Sequence, residues 1–389
     1  MTLISSRTNR LKYSKRSVLP PNLGSSTPSL GIQYDLTCTD TTGWEGFEAL
    51  ERSILGLLNT PGAHRYAPHS KGHPAARLAL SGFQDPHDPE QWILTASSSE
   101  AYGLLFQLLC DPGDWVATTV PGYPLVDELG RFHDVSVRTI PLRREGSAWH
   151  LDLGWTERRL REGAKALVLI QPGNPTGWVL SPKERERVLD LCRSYQVPLI
   201  SDEVFEAWGS KDFRSLADQD QTLCFTLGGL SKLLGLPHLK LGWIRVTGPA
   251  LEVPEALERM EILNDAVLSA STPVQCALPR LLDRRESLQA RIQARLDLNR
   301  KTWNDSRDRF PSSFQALESG SGWFGMVCWT GPWTEASVCS LLEERGVKVQ
   351  PGYLFDLPEA GLVVSLVCEP SALLHGLSLF VDLLISLDP

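Results

Sequence analysis

From about residue 92 to residue 246, short apolar runs alternate with longer segments of helical period. No other feature of the chain restricts its fold as strongly. Apolar runs joined by amphipathic helical stretches produce strands linked by crossover helices, and therefore a mostly parallel sheet covered by helices. The runs fall at 92–95, 115–120, 166–170, 198–201, 223–227 and 241–246. After the first of them, Ala101, Leu104, Leu105, Leu108 and Leu109 share one helical face. The segment 182–195 repeats the pattern with Val188, Leu189, Leu191, Cys192 and Tyr195, and reads as a crossover helix. Turn signals separate these elements at Asp111-Pro112-Gly113-Asp114, Pro121-Gly122-Tyr123-Pro124 and Gly173-Asn174-Pro175. A long charged helix is expected over 286–309, with Leu288, Ile292 and Leu296 on one stripe and Trp303 further along. It leads into an α+β appendage with strands at 322–329, 347–350 and 361–367 and a closing helix at 371–387.

A chain of 389 residues is long enough for two domains, or for one large domain with such an appendage. Its net charge of −8 is unevenly spread: residues 1–34 carry Arg7, Arg10, Lys12, Lys15 and Arg16 and no acid, so the remainder is more acidic still. An acidic body argues against a nucleic-acid surface. The basic head reads as a solvated or partner-embracing arm, because its apolar residues lack the amphipathic period of a transit peptide. The eight cysteines (38, 110, 192, 224, 276, 328, 339 and 368) are scattered without a C-x-x-C pair, as in small core residues of a reducing compartment. No run approaches the ~20 apolar residues that span a bilayer, and the first 30 residues lack the apolar centre of a secretory signal. A cytoplasmic protein without membrane partners is expected. His69 and His73 have the spacing of helical metal ligands, but Pro68, Gly72 and Pro74 surround them and argue against a helix, so no metal site is expected.

In an open α/β sheet, ligands bind beyond the carboxyl ends of the strands, and the polar residues of interest fall there. Ser97, Ser98 and Ser99 lie between a strand and a helix start, Asn174 follows the strand 166–170, Asp202 ends the strand 198–201, and Lys232 follows the strand 223–227. A helix N-terminus suits a phosphate, a carboxylate suits a protonated ring nitrogen, and a lysine forms a Schiff base with an aldehyde. Phosphate, ring nitrogen and aldehyde are the three handles of pyridoxal phosphate.

The motifs in order are RYAPHSKG at 65–72, ILTASSSEAYGLLFQLLCDPGDWV at 93–116, PGYP at 121–124, QPGNPTG at 171–177, SDEVF at 201–205 and GGLSKLLGLPHLKLGW at 228–243. With these motifs the chain resembles the class I/II aminotransferases, the fold-type I pyridoxal-phosphate enzymes. The resemblance implies a large domain around a mostly parallel seven-stranded sheet and a smaller α+β domain built from both chain ends. It divides the chain into 1–45 as arm and part of the small domain, 46–285 as the cofactor domain and 286–389 as the C-terminal small domain. By the same resemblance Lys232 is the Schiff-base lysine and proton shuttle, and Asp202 pairs with the pyridinium nitrogen. Asn174 donates to the phenolate oxygen and Tyr123 stacks on the ring. Ser98, Ser99, Ser231 and Lys240 serve the phosphate, and Tyr66 reaches the cofactor of a neighbouring subunit, which implies a homodimer. The implied activity is transfer of an amino group between an amino acid or amine and a keto acid. A lyase, racemase or cyclase acting on a modified amino acid is the alternative. A non-catalytic, cofactor-binding sensor is a remote one, because the residues before the first sheet strand leave little room for a DNA-binding module.

Three positions depart from the family pattern. Phe205 stands where a tyrosine is usual, so a phenol hydrogen bond to the cofactor oxygen is missing and Asn174 is left alone. Gly229 stands where a phosphate-binding serine is often found, while Ser231 is kept. The segment GLVVSLVCEP occupies the region of the usual carboxylate-binding arginine, and the chain has no arginine after Arg345 and no lysine after Lys348. Either another cation, such as Arg65 or one on the N-terminal arm, then holds a substrate carboxylate, or the substrate is not an ordinary α-amino acid bound in the usual way.

Overall fold

A computed structural model describes residues 31–44, 47–83 and 88–388, without the side chains of 47–49 and 51. The basic arm considered above lies outside the described residues. The larger sheet has the order β2-β9-β8-β7-β6-β3-β4-β5. Its strands are β2 (Trp92–Thr95), β3 (Trp115–Val120), β4 (Ser136–Glu145), β5 (Ala148–Leu151), β6 (Leu167–Ile170), β7 (Leu199–Asp202), β8 (Cys224–Gly229) and β9 (Gly242–Thr247). The ladder from β4 through β3, β6 and β7 to β8 is parallel, while β9 runs antiparallel to both β8 and β2. The expected sheet had seven strands. The eighth is β5, which folds back on β4 through Gly146 (φ 61°).

The central strands are apolar without alternation because both of their faces are covered. Along β6, Leu167 and Leu169 enter one core while Val168 and Ile170 enter the other. Leu199 and Ile200 of β7 divide the same way. Between them the helix Pro182–Tyr195 starts on a capping box, with Ser181 and Glu184 exchanging side-chain-to-backbone bonds, and stops at Gln196 in the left-handed region (φ 52°). Glu184 also accepts the N–H of Leu151 at 2.6 Å, so the cap anchors the added strand β5.

A second sheet, β10-β11-β14-β13, is antiparallel: β10 (Phe314–Ala316), β11 (Phe324–Trp329), β13 (Gln350–Pro351) and β14 (Ala360–Ser365). Beside it β1 (Tyr34–Asp35) pairs in parallel with β12 (Val347–Lys348), bringing an early segment to a late one. The helix Arg285–Ser306 bridges the cores, with Leu288 in one cluster and Ile292, Leu296 and Trp303 in another. Its Asn299, fully buried, donates to the carbonyls of Leu366 and Cys368, both at 2.9 Å. The closing helix Pro370–Leu387 is long and apolar enough to cross a bilayer by length and composition alone. It instead buries Leu373, Leu377, Phe380, Val381 and Leu384 in the domain core.

Candidate active site

Asp202 is the last residue of β7, and β8 beside it ends in Gly228-Gly229 and turns directly into the one-turn helix Leu230–Leu233 that carries Lys232. The first glycine of the pair is a packing requirement, since a Cβ at Gly228 would lie 2.2 Å from Nε1 of Trp243 on β9. The lysine backbone is pinned by Trp208, whose Nε1–H donates to the Lys232 carbonyl at 3.0 Å. Its Nζ lies 4.8 Å from the centroid of the Trp323 ring and 5.7 Å from that of Phe205. Loss of solvation lowers its pKa from 10.5 to about 8, against a smaller opposing pull from the Asp40 carboxylate. An amine that loses its proton near neutrality is a usable nucleophile and base.

Asp202 is 3% exposed. Burial raises its pKa to about 6, opposed by hydrogen bonds from the Val204 N–H at 3.2 Å and the Tyr102 hydroxyl at 3.0 Å. Tyr123, in the loop after β3, is 36% exposed. Its phenol is pushed up to about 12, chiefly by burial and then by the Asp202 charge.

The third component is the start of the helix Ser98–Leu109. Ser97 is the cap, its hydroxyl accepting the Glu100 N–H at 3.2 Å, while the Glu100 carboxylate accepts the Ala96 N–H at 2.6 Å. Capping by Ser97 leaves the first-turn N–H groups of Ser98 and Ser99 without intrahelical acceptors, and both residues are partly exposed. Gly242 supports this turn from β9: a Cβ there would come within 2.9 Å of the Ser97 carbonyl carbon and 3.1 Å of the Ser98 nitrogen. Lys240 is exposed two residues earlier with φ 50°. Ser231 is partly buried next to Lys232.

The loop 171–178 completes the edge. Gly173 N–H donates to Trp178 O at 2.7 Å, Gly177 N–H to Gly173 O at 2.8 Å, and Gln171 N–H to Asp202 O at 3.0 Å. Gly177 has φ 66° and packs on the turn before Trp323, where a Cβ would approach Ser321 O to 2.5 Å. Asn174 has a buried Oδ1 with no hydrogen-bond partner. A buried amide oxygen without a partner, on the loop after the strand next to that of Asp202, leaves an acceptor for a polar ligand. These side chains fit pyridoxal phosphate: Asp202 as acceptor for the ring-nitrogen proton, the Asn174 amide N–H for the ring oxygen, Lys232 for the aldehyde, and Ser98, Ser99, Ser231 and Lys240 for the phosphate.

Among the described residues, the structure thus gathers nine of the ten expected site residues along the carboxyl edge of one sheet, Phe205 included. Tyr66 stands apart: it is 88% exposed, on a cleft shared with His69, His73, Leu94, Asn264 and Gln275. His73 accepts the Ala75 N–H through Nδ1 at 3.3 Å and caps the helix Pro74–Ser81, and no group of three metal-ligating side chains occurs among the described residues. Arg65, beside Tyr66, is exposed as well. The cations of the C-terminal region are engaged elsewhere, Lys348 facing Asp35 at 3.8 Å and Arg345 bonding Leu341 O at 3.1 Å. Sequence reasoning missed Tyr102, Trp208 and Trp323. Tyr102 carried a usable signal, because a tyrosine inside an apolar helical run needs a partner for its hydroxyl.

A mostly parallel sheet that presents lysine, carboxylate, amide and helix N-terminus along one carboxyl edge defines a pyridoxal-phosphate site of fold type I. The chain belongs to the aminotransferase class I and II family, whose model matches residues 45–369, and with that family comes dependence on pyridoxal phosphate. It is 29% identical over 244 residues to an S-alkyl-thiohydroximate lyase of Arabidopsis thaliana, covering 60% of this chain and 52% of the relative. It is also 29% identical over 290 residues to an alanine aminotransferase of Mycobacterium bovis, covering 72% and 63% respectively. The chain therefore spans between half and two thirds of the length of these relatives. In fold it is similar to a tyrosine aminotransferase of Leishmania infantum, with a TM-score of 0.84, 21% identity and 99% of each chain covered.

Proposed function

We propose that the chain is an aminotransferase that moves an amino group between an amino acid or amine and a keto acid, with Lys232 as nucleophile and proton carrier. The observation that carries this reading is the Lys232 amine, its pKa lowered to about 8 and its Nζ held 4.8 Å from the Trp323 ring, at the end of the strand next to the one that Asp202 closes. Bound there, pyridoxal phosphate supplies an electron sink for the bonds at the substrate's α-carbon. Asp202 holds the ring-nitrogen proton, Asn174 orients the ring oxygen, Tyr123 covers a ring face, and Ser98, Ser99, Ser231 and Lys240 anchor the phosphate. Lys232, shielded by Trp323 and Phe205, takes and returns the α-proton.

A homodimer belongs to this reading, with Tyr66 and Arg65 directed to the neighbouring subunit's site. The exposure of Tyr66, Leu78 (63%), Ile262 (67%) and Val267 (53%) supports it. A cytoplasmic location is proposed as well, in keeping with eight cysteines that form no disulfide. The second reading is a lyase, favoured by Phe205 in place of a tyrosine and by the similarity to the thiohydroximate lyase. One experiment separates the two. The cofactor-loaded protein is mixed with a panel of amino acids and amines without acceptor, and its visible spectrum is followed. Transamination leaves the amine form of the cofactor after one half-reaction, whereas a lyase restores the aldehyde form. A cofactor band unchanged in Lys232→Ala overturns both.

A further inference from the structure

The hydroxyl of Tyr102 donates to Oδ2 of Asp202 at 3.0 Å, and the Val204 N–H donates to Oδ1 at 3.2 Å. Each oxygen of this buried carboxylate thus has one protein donor. A carboxylate accepts in about four directions, so capacity remains for an N–H arriving from the cofactor side. Tyr102 is 1% exposed and packs its ring on Phe106, with centroids 6.0 Å apart. Its phenol is held protonated, because burial and the adjacent Asp202 charge both raise its pKa well above the ordinary value. It is therefore a permanent donor to a group that burial would otherwise neutralise.

The placement of Tyr102 ties two parts of the site together. It occupies the fifth position of the helix Ser98–Leu109, the same helix whose first turn is the candidate phosphate cradle. One rigid element thus reaches the phosphate end of the cofactor with its N-terminus and the ring-nitrogen carboxylate with its second turn.

We infer that Tyr102 is a positioning residue which, through its hydrogen bond to Asp202, keeps that carboxylate charged and aimed at the cofactor ring nitrogen. The inference rests on the cofactor-binding reading above. Among the described residues, the groups facing Asp202 are few. From the helix comes Tyr102, and from the loop after β3 comes Tyr123. Just after β7, the side chain of Glu203 is directed to the Ser201 hydroxyl and the Leu216 N–H. Lys232, after β8, responds to Asp40 rather than to Asp202.

The test compares wild type with Tyr102→Phe, which keeps the ring and its packing and removes only the donor. Three quantities are read in the cofactor-loaded protein: the dissociation constant of pyridoxal phosphate, the acidic limb of kcat/KM against pH, and the 15N resonance of labelled cofactor nitrogen. Loss of a hydrogen bond to a charged group is expected to weaken cofactor binding about tenfold. It should also move the acidic limb to higher pH by about 1 and shift the nitrogen resonance toward the unprotonated position. A fluorinated tyrosine introduced at position 102, a stronger donor of nearly the same shape, is expected to move the limb and the resonance the other way, and it serves where the Phe variant folds poorly. A nitrogen resonance and acidic limb unchanged in both variants would overturn the inference, even if thermal stability fell. Wild type that binds no cofactor overturns the parent reading and this one together.

Discussion

The solvation cost imposed on Lys232 can be measured directly in the cofactor-free protein. Its ammonium is surrounded by Trp323, Phe205 and the strand ends, and its pKa falls from 10.5 to about 8. At about 1.4 kcal/mol per pKa unit, a fully buried group shifted this far would destabilise the fold by about 3 kcal/mol when charged. Lys232 is only partly buried, and solvent screening reduces the figure to about 2 kcal/mol. The sign follows from proton counting. Below pH 8 the lysine is protonated in both folded and unfolded chains and the whole cost is present. Between 8 and 10.5 the unfolded chain still holds a proton that the folded chain has released, so stability rises with pH, and above 10.5 the cost is gone. Lys232→Met removes the charge and keeps an unbranched side chain. The apoprotein variant is expected to be about 2 kcal/mol more stable than wild type at pH 7 and equal to it near pH 10.5, by urea denaturation at both values. The buried thiols of Cys192 and Cys224, whose pKa values burial raises, slope the other way above pH 9, but they are common to both proteins and cancel in the difference. A variant no more stable at pH 7, or a difference that does not depend on pH, refutes the reasoning.

Three further outcomes are expected. Gly242→Ala puts a Cβ 2.9 Å from the Ser97 carbonyl carbon, and should cost about 1–3 kcal/mol by overpacking while weakening cofactor binding; a thermal melt and a spectral titration read both, and unchanged affinity would remove Gly242 from the cradle. Phe205→Tyr adds a phenol that, on the proposed placement of the cofactor, serves its ring oxygen, so the pH midpoint of the lysine-bound cofactor's absorbance should fall by about 1; identical titrations of the two proteins count against the role proposed for Asn174 acting alone. Asn299→Leu leaves the buried carbonyls of Leu366 and Cys368 without their donor and should destabilise by about 2–4 kcal/mol, seen as a lowered unfolding midpoint.

The elements that carry the cofactor were legible because local signals agree with tertiary demands. The strands at 92–95 and 115–120 and the helix 182–195 fall where the apolar pattern puts them, and the last has Ser181 and Pro182 at its start. The strand β4 was overlooked for the opposite reason. It lies near the sheet edge with one face open, so Ser136–Glu145 is charged and alternating and looks like a loop rather than a core run. Lys232, Asp202 and Asn174 stand in motifs at fixed spacing, and each indeed follows or ends a strand. Trp323 and Trp208 have no such signature. Trp323 reaches Lys232 only because the second sheet packs across the first, and Trp208 does so because the turn after β7 lies beside the end of β8; no local pattern encodes either distance. Tyr102 was hidden by counting only the apolar residues of its helix, which is enclosed on several sides and buries Ala101, Tyr102, Gly103, Leu104, Leu105 and Phe106 consecutively.

Trp323 belongs to the second sheet's side of the molecule, just before β11, yet it lies against the amine of Lys232. The turn that carries it is fastened by the Gly322 N–H to Trp208 O at 2.9 Å, and Trp208 in turn holds the lysine carbonyl. A displacement of this turn that lifts the indole would rehydrate the amine and raise its proton affinity. Reciprocity then requires that the charged lysine favour the lifted arrangement and the neutral lysine the seated one. Proton release and seating of the turn are then a single linked equilibrium, and tryptophan fluorescence followed through pH 8 in the apoprotein would report it.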